Sequence, residues 1–492
     1  MRPPFFQKTS LSADPFSVYG ALHQKGPGVL LESARVSEKT GRYSVVACRP
    51  YDELRAKGGT RDPFRRLKKH LRERASENIP GLPPFTGGAL GVVSYEAKRW
   101  VDRTRSAGVK GGTGPGPVDD LGLPEVHFFF FDEGVVLDHA EGAVYFFAKT
   151  KKALKNLVDR TRSVGVKGCT GPGPLTGPVT AGALDAESSM TRAEFLNAVR
   201  AIQAFIKKGD IFQANLSQRF LFPFVDRTRS VGVKGCTGPG PVESVYARLR
   251  RINPSSFFGI FDAGDYQILS GSPERLVKLE NGILETRPIA GTRARGATAE
   301  KDRRLSLELL LNDKERAEHI MLVDLERNDM GRVAEYGSVT VDELMAVEDY
   351  SHVKHIVSNV RGVLRKGCDA VDALKAFFPG GTITGAPKIR CLEILDSIEP
   401  VARGPYTGSM GYFSFTGNMD WNIIIRSLLI QNHRAALSVG AGIVADSVPE
   451  KEYDETLYKA LALLTAVFGK RRAADFLETC RSSGMPGSRI PR

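Results

Sequence analysis

Residues 377–420 read FFPGGTITGAPKIRCLEILDSIEPVARGPYTGSMGYFSFTGNMD. Glycines, a lysine, a tyrosine and turn residues stand here between two apolar elements, a composition suited to bringing backbone close to a ligand. Gly380, Gly381 and Gly385 predict either a cradle of backbone N–H groups for an anion or a tight turn with a helix C-cap. Pro387 and Lys388 open a helix whose N-terminal end favours negative charge, which makes Lys388 a candidate catalytic residue.

Working outward, MDWNIIIRSLLI (419–430) reads as an apolar strand interrupted by Arg426, a residue that needs a buried acid or a bound carboxylate there. In PEKEYDETLYKALALLTAV (449–467), Glu452 and Glu455 lie three apart on one helix face, with Lys459 one turn on. Upstream, LNDKERAEHIMLVDLERND (311–329) repeats the pattern with Glu315 and Glu318. Four carboxylates in one cleft are tolerable only if a cation shares them, and oxygen-only ligands point to Mg²⁺; the alternative is two solvated helix faces. QILSGSPERLVKLENGILETRPIAGTRARG (267–296) predicts a hairpin turning at Asn281–Gly282, with Glu274 near one end and Gly291–Thr292 near the other. Thr191 and Glu194 form a capping box that starts a helix ending at Gly209. In the strand that follows, alternation puts Phe212, Ala214 and Leu216 on one face and Gln213, Asn215, Ser217 and Arg219 on the other. A polar strand face is solvent-exposed or a site floor, and pattern alone favours solvent. His355 reads as a satisfied core histidine.

Residues 1–185 form a β-rich region, with strand-like runs at GVLLESARV, GRYSVVACRP, GGALGVVSYEAKRW, VHFFFFD and AVYFFAK. The Gly-, Ala-, Ser- and Thr-rich segment 176–189 marks the boundary with a second region, 186–470, and 471–492 read as a tail. Three near-identical copies of VDRTRSVGVKGCTGPGPV start at 101, 158 and 225 (101–118, 158–175, 225–242). Uneven spacing and no apolar period make them inserted, solvated loops, not stacked repeats. Each carries +2, so together they supply +6 of a net charge of +13, which weakens a nucleic-acid reading. Six scattered cysteines show neither C-x-x-C nor zinc spacing and are expected reduced. The chain shows no secretory signal and no run long enough to span a membrane, so the expectation is a cytoplasmic protein without membrane or nucleic-acid partners.

In order along the chain, GDIFQANLSQRF, SPERL, RPIAGTRARG, EHIMLVDLERND, GGTITGAPK, GPYTGSMGYFSF, MDWNIIIRS and GAGIVADSVPEKEYDET resemble the motifs of the chorismate-utilising enzymes. The likeness is close over 190–468 and looser over 1–150. It implies an α+β fold of two packed β-sheets with helices outside. It also implies Mg²⁺ held by Glu318 and Glu455, with Glu315 and Glu452 beside them, and chorismate contacts from Gly291, Thr292, Tyr406, Arg426, Gly440, Ala441 and Gly442. By the same resemblance His355 matches a histidine near the leaving hydroxyl and Glu274 the acid that helps it leave. Gln213 matches the lysine that activates water in the water-using members; glutamine cannot act as that base, so the implied nucleophile is ammonia.

Two ammonia-using branches remain: component I of aminodeoxychorismate synthase, which serves folate, and component I of anthranilate synthase, which serves tryptophan. NLSQRF, TITGAPKIR and YTGSMGY look more like the first. Ala290, where many members of that branch carry lysine, and LLESA, whose Ser33 matches a tryptophan-sensing residue, speak for the second. The balance goes to 4-amino-4-deoxychorismate as product. No glutaminase signature is present, so ammonia is expected from a separate glutamine amidotransferase subunit or from solution.

Overall fold

The computed structural model describes residues 4–10, 13–23, 26–35, 40–59, 61–101, 116–166, 186–224, 241–349 and 353–482. Two antiparallel sheets organise them. The first runs, by neighbours, Phe5–Thr9, Ala143–Ala148, Glu133–Asp138, Tyr43–Cys48, Gly28–Glu32, Phe257–Asp262, Tyr266–Ser272, Ser427–Gln431, Arg434–Ile443, Gln213–Pro223 and Gly385–Ala386. The second runs Ile289–Ala294, Val353–Val363, Ile283–Thr286, Arg275–Glu280, Met419–Asn422, Ser409–Ser414, Gly88–Val93, Val126–Phe131 and Asp52–Ala56.

The strand period sorts side chains between layers. Phe129 and Phe131 pack between the sheets with Val29, Val45, Phe261 and Met410, whereas Phe128 and Phe130 face a separate core behind the second sheet. Leu30 turns the other way from Val29, into a core where the first sheet meets the helices Arg192–Lys207 and Pro449–Phe468. Asp313–Gly331 and Ala370–Phe377 cover the outside of the second sheet. The result is helix, sheet, sheet, helix, the expected packed-sheet architecture. Both sheets take strands from either side of the expected boundary at 185/186, so it does not separate two cores.

Local chemistry produced several elements as expected. Thr191 and Glu194 cap each other across the first turn of Arg192–Lys207. Asn281 and Gly282, at φ 53° and 81°, form the turn between Arg275–Glu280 and Ile283–Thr286.

Three expectations are corrected. Lys470–Ser482 is a helix, not part of a tail: Ala473, Phe476, Leu477 and Cys480 recur at helical spacing and are buried in the first core, with the Phe476 ring 5.6 Å from Phe220. Residues 158–166, the start of the second insert, continue the helix Lys151–Val166, because Leu154, Leu157 and Val158 give it a buried face; most of the three inserts and 483–492 lie outside the described residues. Residues 419–430 are not one strand: Met419–Asn422 belongs to the second sheet and Ser427–Gln431 to the first, and the chain crosses between them at Arg426, φ 51°. Of the two readings of Gly380, Gly381 and Gly385, the tight turn is present, as a 3₁₀ turn over Gly381–Ile383. A Cβ on Gly385 would lie 2.1 Å from the Gln213 carbonyl oxygen, and one on Gly380 would press on Ile423 and Leu276. Among the described residues no helix is long and apolar enough to cross a membrane.

Candidate active site

The polar face of Gln213–Pro223 is buried, not solvated. Gln213, Ser217 and Arg219 are each less than a tenth exposed, because Glu318, Glu399, Asp120 and the Ala402 carbonyl lie over that face and bond to them. Arg403 binds Glu399 through Nε at 2.8 Å and Nη2 at 2.7 Å, and Glu399 in turn accepts from Ser217. The neighbouring strand supplies glycine opposite the larger polar groups. A Cβ on Gly442 would meet Gln213 Nε2 at 2.6 Å; one on Gly440 would meet Asn215 Oδ1 at 2.4 Å and the Tyr406 hydroxyl at 3.0 Å. Ala441, between them, points its methyl into the helix-covered core, so its side chain does not face the Gln213 side. Gly442→Ala is therefore expected to push the Gln213 amide aside and lower kcat/KM about tenfold, with thermal stability within a few degrees of the parent; steady-state kinetics and a melting curve check both.

Two helices aim their N-terminal turns at this floor. Asn312 caps Asp313–Gly331 by accepting from the Glu315 N–H at 3.0 Å, and Pro449 opens Pro449–Phe468. Glu315 and Glu318, like Glu452 and Glu455, thus sit within two turns of a positive helix end. Gln213 Nε2 donates to Glu318 Oε1 at 3.2 Å. Burial, and then the Glu315 and Glu455 carboxylates, push Glu318 above the ordinary carboxylate range, while burial and Glu455 do the same to Glu452. The four acids therefore share one field. Glu315 is steadied by Arg293 at 2.9 Å and Glu455 by Lys459 at 2.7 Å. Among the described residues no three acid, histidine or cysteine side chains close to metal-ligating distance.

The second sheet contributes the opposite wall. Gly291, at φ 62°, forms a bulge between Ala290 and Thr292, and a Cβ there would meet Glu315 Oε2 at 2.8 Å. Its carbonyl oxygen lies 3.0 Å from His355 Nδ1, which places the hydrogen of the neutral ring on Nδ1 and leaves Nε2 a lone pair. Burial lowers the His355 pKa, and Arg426 adds to the effect. The backbone of Thr292 pairs with that of His355 in the same bulge. Glu274 is buried, accepts from Thr382 Oγ1 at 2.8 Å, and is pushed up to about 7 by desolvation, against the Thr382 bond and the Arg426 and Lys459 charges. Lys459 also donates to the Gly440 carbonyl at 2.8 Å, linking the two walls.

Gln213, Glu274, Gly291, Glu315, Glu318, His355, Tyr406, Arg426, Gly440, Gly442, Glu452 and Glu455 are thus joined by contact or electrostatic coupling. Lys388 is not with them: its Nζ is buried against Asp329 Oδ2 at 2.5 Å and the Phe377 carbonyl at 3.0 Å. Thr382 and Asn215 are additions. Asn215 was visible on the polar face; Thr382 had only its place in a glycine-rich turn as a signal. Ser33 lies elsewhere, buried with its hydroxyl donating to the Tyr43 carbonyl at 2.8 Å, beside a cavity of about 250 Å³ between the sheets. Phe258, Arg275, Tyr412 and Asp420 line the same cavity.

This arrangement has relatives. Residues 29–465 match the family described as chorismate binding enzyme. The chain is 41% identical over 457 residues to aminodeoxychorismate synthase component 1 of Bacillus subtilis (strain 168), covering 89% of this chain and 91% of that one. It is 38% identical over 479 residues to anthranilate synthase component 1 of Acetivibrio thermocellus, covering 92% of each. The crystal structure of anthranilate synthase component I from Streptococcus pneumoniae TIGR4 superposes with a TM-score of 0.72 at 34% identity, over 87% of this chain and 93% of that one. With the family match spanning most of its length, this chain belongs to the chorismate binding enzymes.

Proposed function

We propose that the chain aminates chorismate with ammonia to give 4-amino-4-deoxychorismate, the ammonia coming from a separate glutamine amidotransferase subunit. The observation that carries the ammonia part of this reading, common to both branches, is Gln213. It occupies the site floor beside Glu318, and its Oε1, like Asn215 Oδ1, is buried and accepts no hydrogen bond from a described residue. Two such acceptors suit a donor with several N–H groups, and neither can take a proton from water. The relatives' designation as component 1 supports a partner subunit.

In this reading Arg426 and Lys459 attract the substrate's carboxylates, and the Tyr406 hydroxyl fixes its orientation. Glu274 donates its proton to the departing ring hydroxyl, which leaves as water while the ammonia nitrogen bonds to the ring. The proton then shed by the new ammonium group restores the acid. Glu318, Glu315, Glu452 and Glu455 would hold Mg²⁺: their oxygen-only donor set and mutual repulsion suit a hard divalent cation. When bound, the ion neutralises the charge of the substrate's ring carboxylate.

A second reading, anthranilate and pyruvate as products, has the Acetivibrio relative and the Ser33 cavity in its favour, and in it Ser33 would help hold tryptophan. Product identification decides between them. Purified chain is incubated with chorismate, ammonium and Mg²⁺, and products are read by mass spectrometry and fluorescence. The expected product yields 4-aminobenzoate only after a lyase is added, and chelation with EDTA stops its formation. Anthranilate with pyruvate would establish the second reading; folded protein that consumes no chorismate would overturn both.

A further inference from the structure

Lys388 was expected at the site and lies behind it, in a buried ion pair that stability alone does not explain. Removing two charges from water is costly, and a well-packed apolar pair of the same volume is often at least as stable. Its surroundings suggest a different use. Lys388 Nζ reaches the carboxylate of Asp329, on the helix that also carries Glu318, and the carbonyl of Phe377, at the end of Ala370–Phe377. The chain from Phe377 runs through Pro379, Gly380 and Gly381 to Thr382, whose hydroxyl donates to Glu274. Gly380 and Gly381 supply no side chains of their own to fix this turn. One helical turn before Asp329, Glu326 Oε2 lies 3.1 Å from Thr286 Oγ1, which also lies 2.9 Å from the Leu276 carbonyl, two residues after Glu274. One helix thus secures both the strand that presents Glu274 and the turn that presents its hydrogen-bond donor.

We propose that Lys388 is a positioning residue for Glu274: clamped between Asp329 and the Phe377 carbonyl, its ammonium holds the 378–382 turn so that Thr382 meets the Glu274 carboxyl. The proposal rests on Glu274 being the proton donor. The groups that act on Glu274 are Thr382 from the turn, Arg426 from the crossover and Lys459 from Pro449–Phe468, with Glu326 facing it from Asp313–Gly331. Of these, Thr382 favours the ionised carboxylate by hydrogen bonding.

The test is a thermodynamic cycle in the full chain. Lys388→Met with Asp329→Asn removes both charges together, so that neither is left buried alone. It is expected to lower kcat about tenfold, to leave KM for chorismate within about twofold, and to move the alkaline limb of the pH–rate profile to higher pH. In a Thr382→Val background the same pair of changes is expected to alter kcat less than about twofold, because the link it would break is already gone. Independent, multiplying losses, or an unchanged kcat when the paired change is made with Thr382 intact, would overturn the proposal. Should the paired variant fail to fold, Lys388→Arg, which keeps the charge but alters the reach to Phe377, is read in the same cycle with the same criteria. Glu274→Gln, assayed alongside, separates the two claims: wild-type turnover in that variant removes the acid assignment, while the cycle reports on Lys388.

Discussion

Glu274→Gln is expected to reduce turnover about 10²–10⁴-fold while making the folded chain more stable above neutral pH. Both effects come from one buried carboxyl. Desolvation holds Glu274 at about 7 against an ordinary value of 4.5, so it keeps its proton at the pH where a leaving hydroxyl needs one. The folded state therefore binds more protons than the unfolded state between those two values, and stability falls as pH rises through that window. Glutamine has the same shape and no charge to bury. The gain should be absent near pH 4 and reach up to about 3 kcal/mol by pH 8, read by denaturant unfolding at the two pH values. In the parent enzyme, kcat should correspondingly decline as pH rises past about 7, as Thr382, Arg426 and Lys459 oppose but do not overcome the desolvation. Retained turnover in the glutamine variant would remove Glu274 from the chemistry.

The same residue shows where sequence pattern suffices and where it stops. Strands and helices whose period is clean, such as Val126–Phe131 and Arg192–Lys207, were legible because burial on one or both faces leaves a repeating mark. The carboxylate pairs at 315/318 and 452/455 were legible as pairs, because helical spacing places them on one face. That both faces meet depends on which strands lie between them, which no local pattern records. Pattern alone sent the polar face of Gln213–Pro223 to solvent; the tertiary fold buries it, since Glu318, Glu399 and Asp120, all distant in sequence, lie over it. Arg426 stood out as an arginine in an apolar run, but the run is two strands in two sheets, and the arginine marks the crossing. Lys388 illustrates the converse failure. A lysine after a glycine-rich turn at a helix start has the composition of an anion site, yet Asp329, 59 residues earlier, claims it. Charge complementarity over such separations is invisible until the fold exists.

Gln213→Lys should lower ammonia-dependent product formation by about 10²-fold or more and weaken the binding of Mg²⁺. The Gln213 amide stands 3.2 Å from Glu318 and presents an acceptor that no described residue uses. Lysine replaces that acceptor with a donor, so ammonia loses a partner and must share the floor with a cation. The new ammonium would pair with Glu318, a carboxylate already raised by burial and by Glu315 and Glu455, and would neutralise part of the charge that a divalent ion is proposed to meet. Half-saturating Mg²⁺ should rise about tenfold, measured by activity at fixed chorismate and by calorimetric titration of the ion alone. Gln213→Leu separates the two effects. It removes the acceptor without adding charge, so amination should fall while Mg²⁺ binding stays within about twofold of the parent. If leucine and lysine weakened the metal equally, the coupling between Gln213 and Glu318 would not be electrostatic. If neither lowered the rate with ammonium, Gln213 would have no part in receiving the nucleophile.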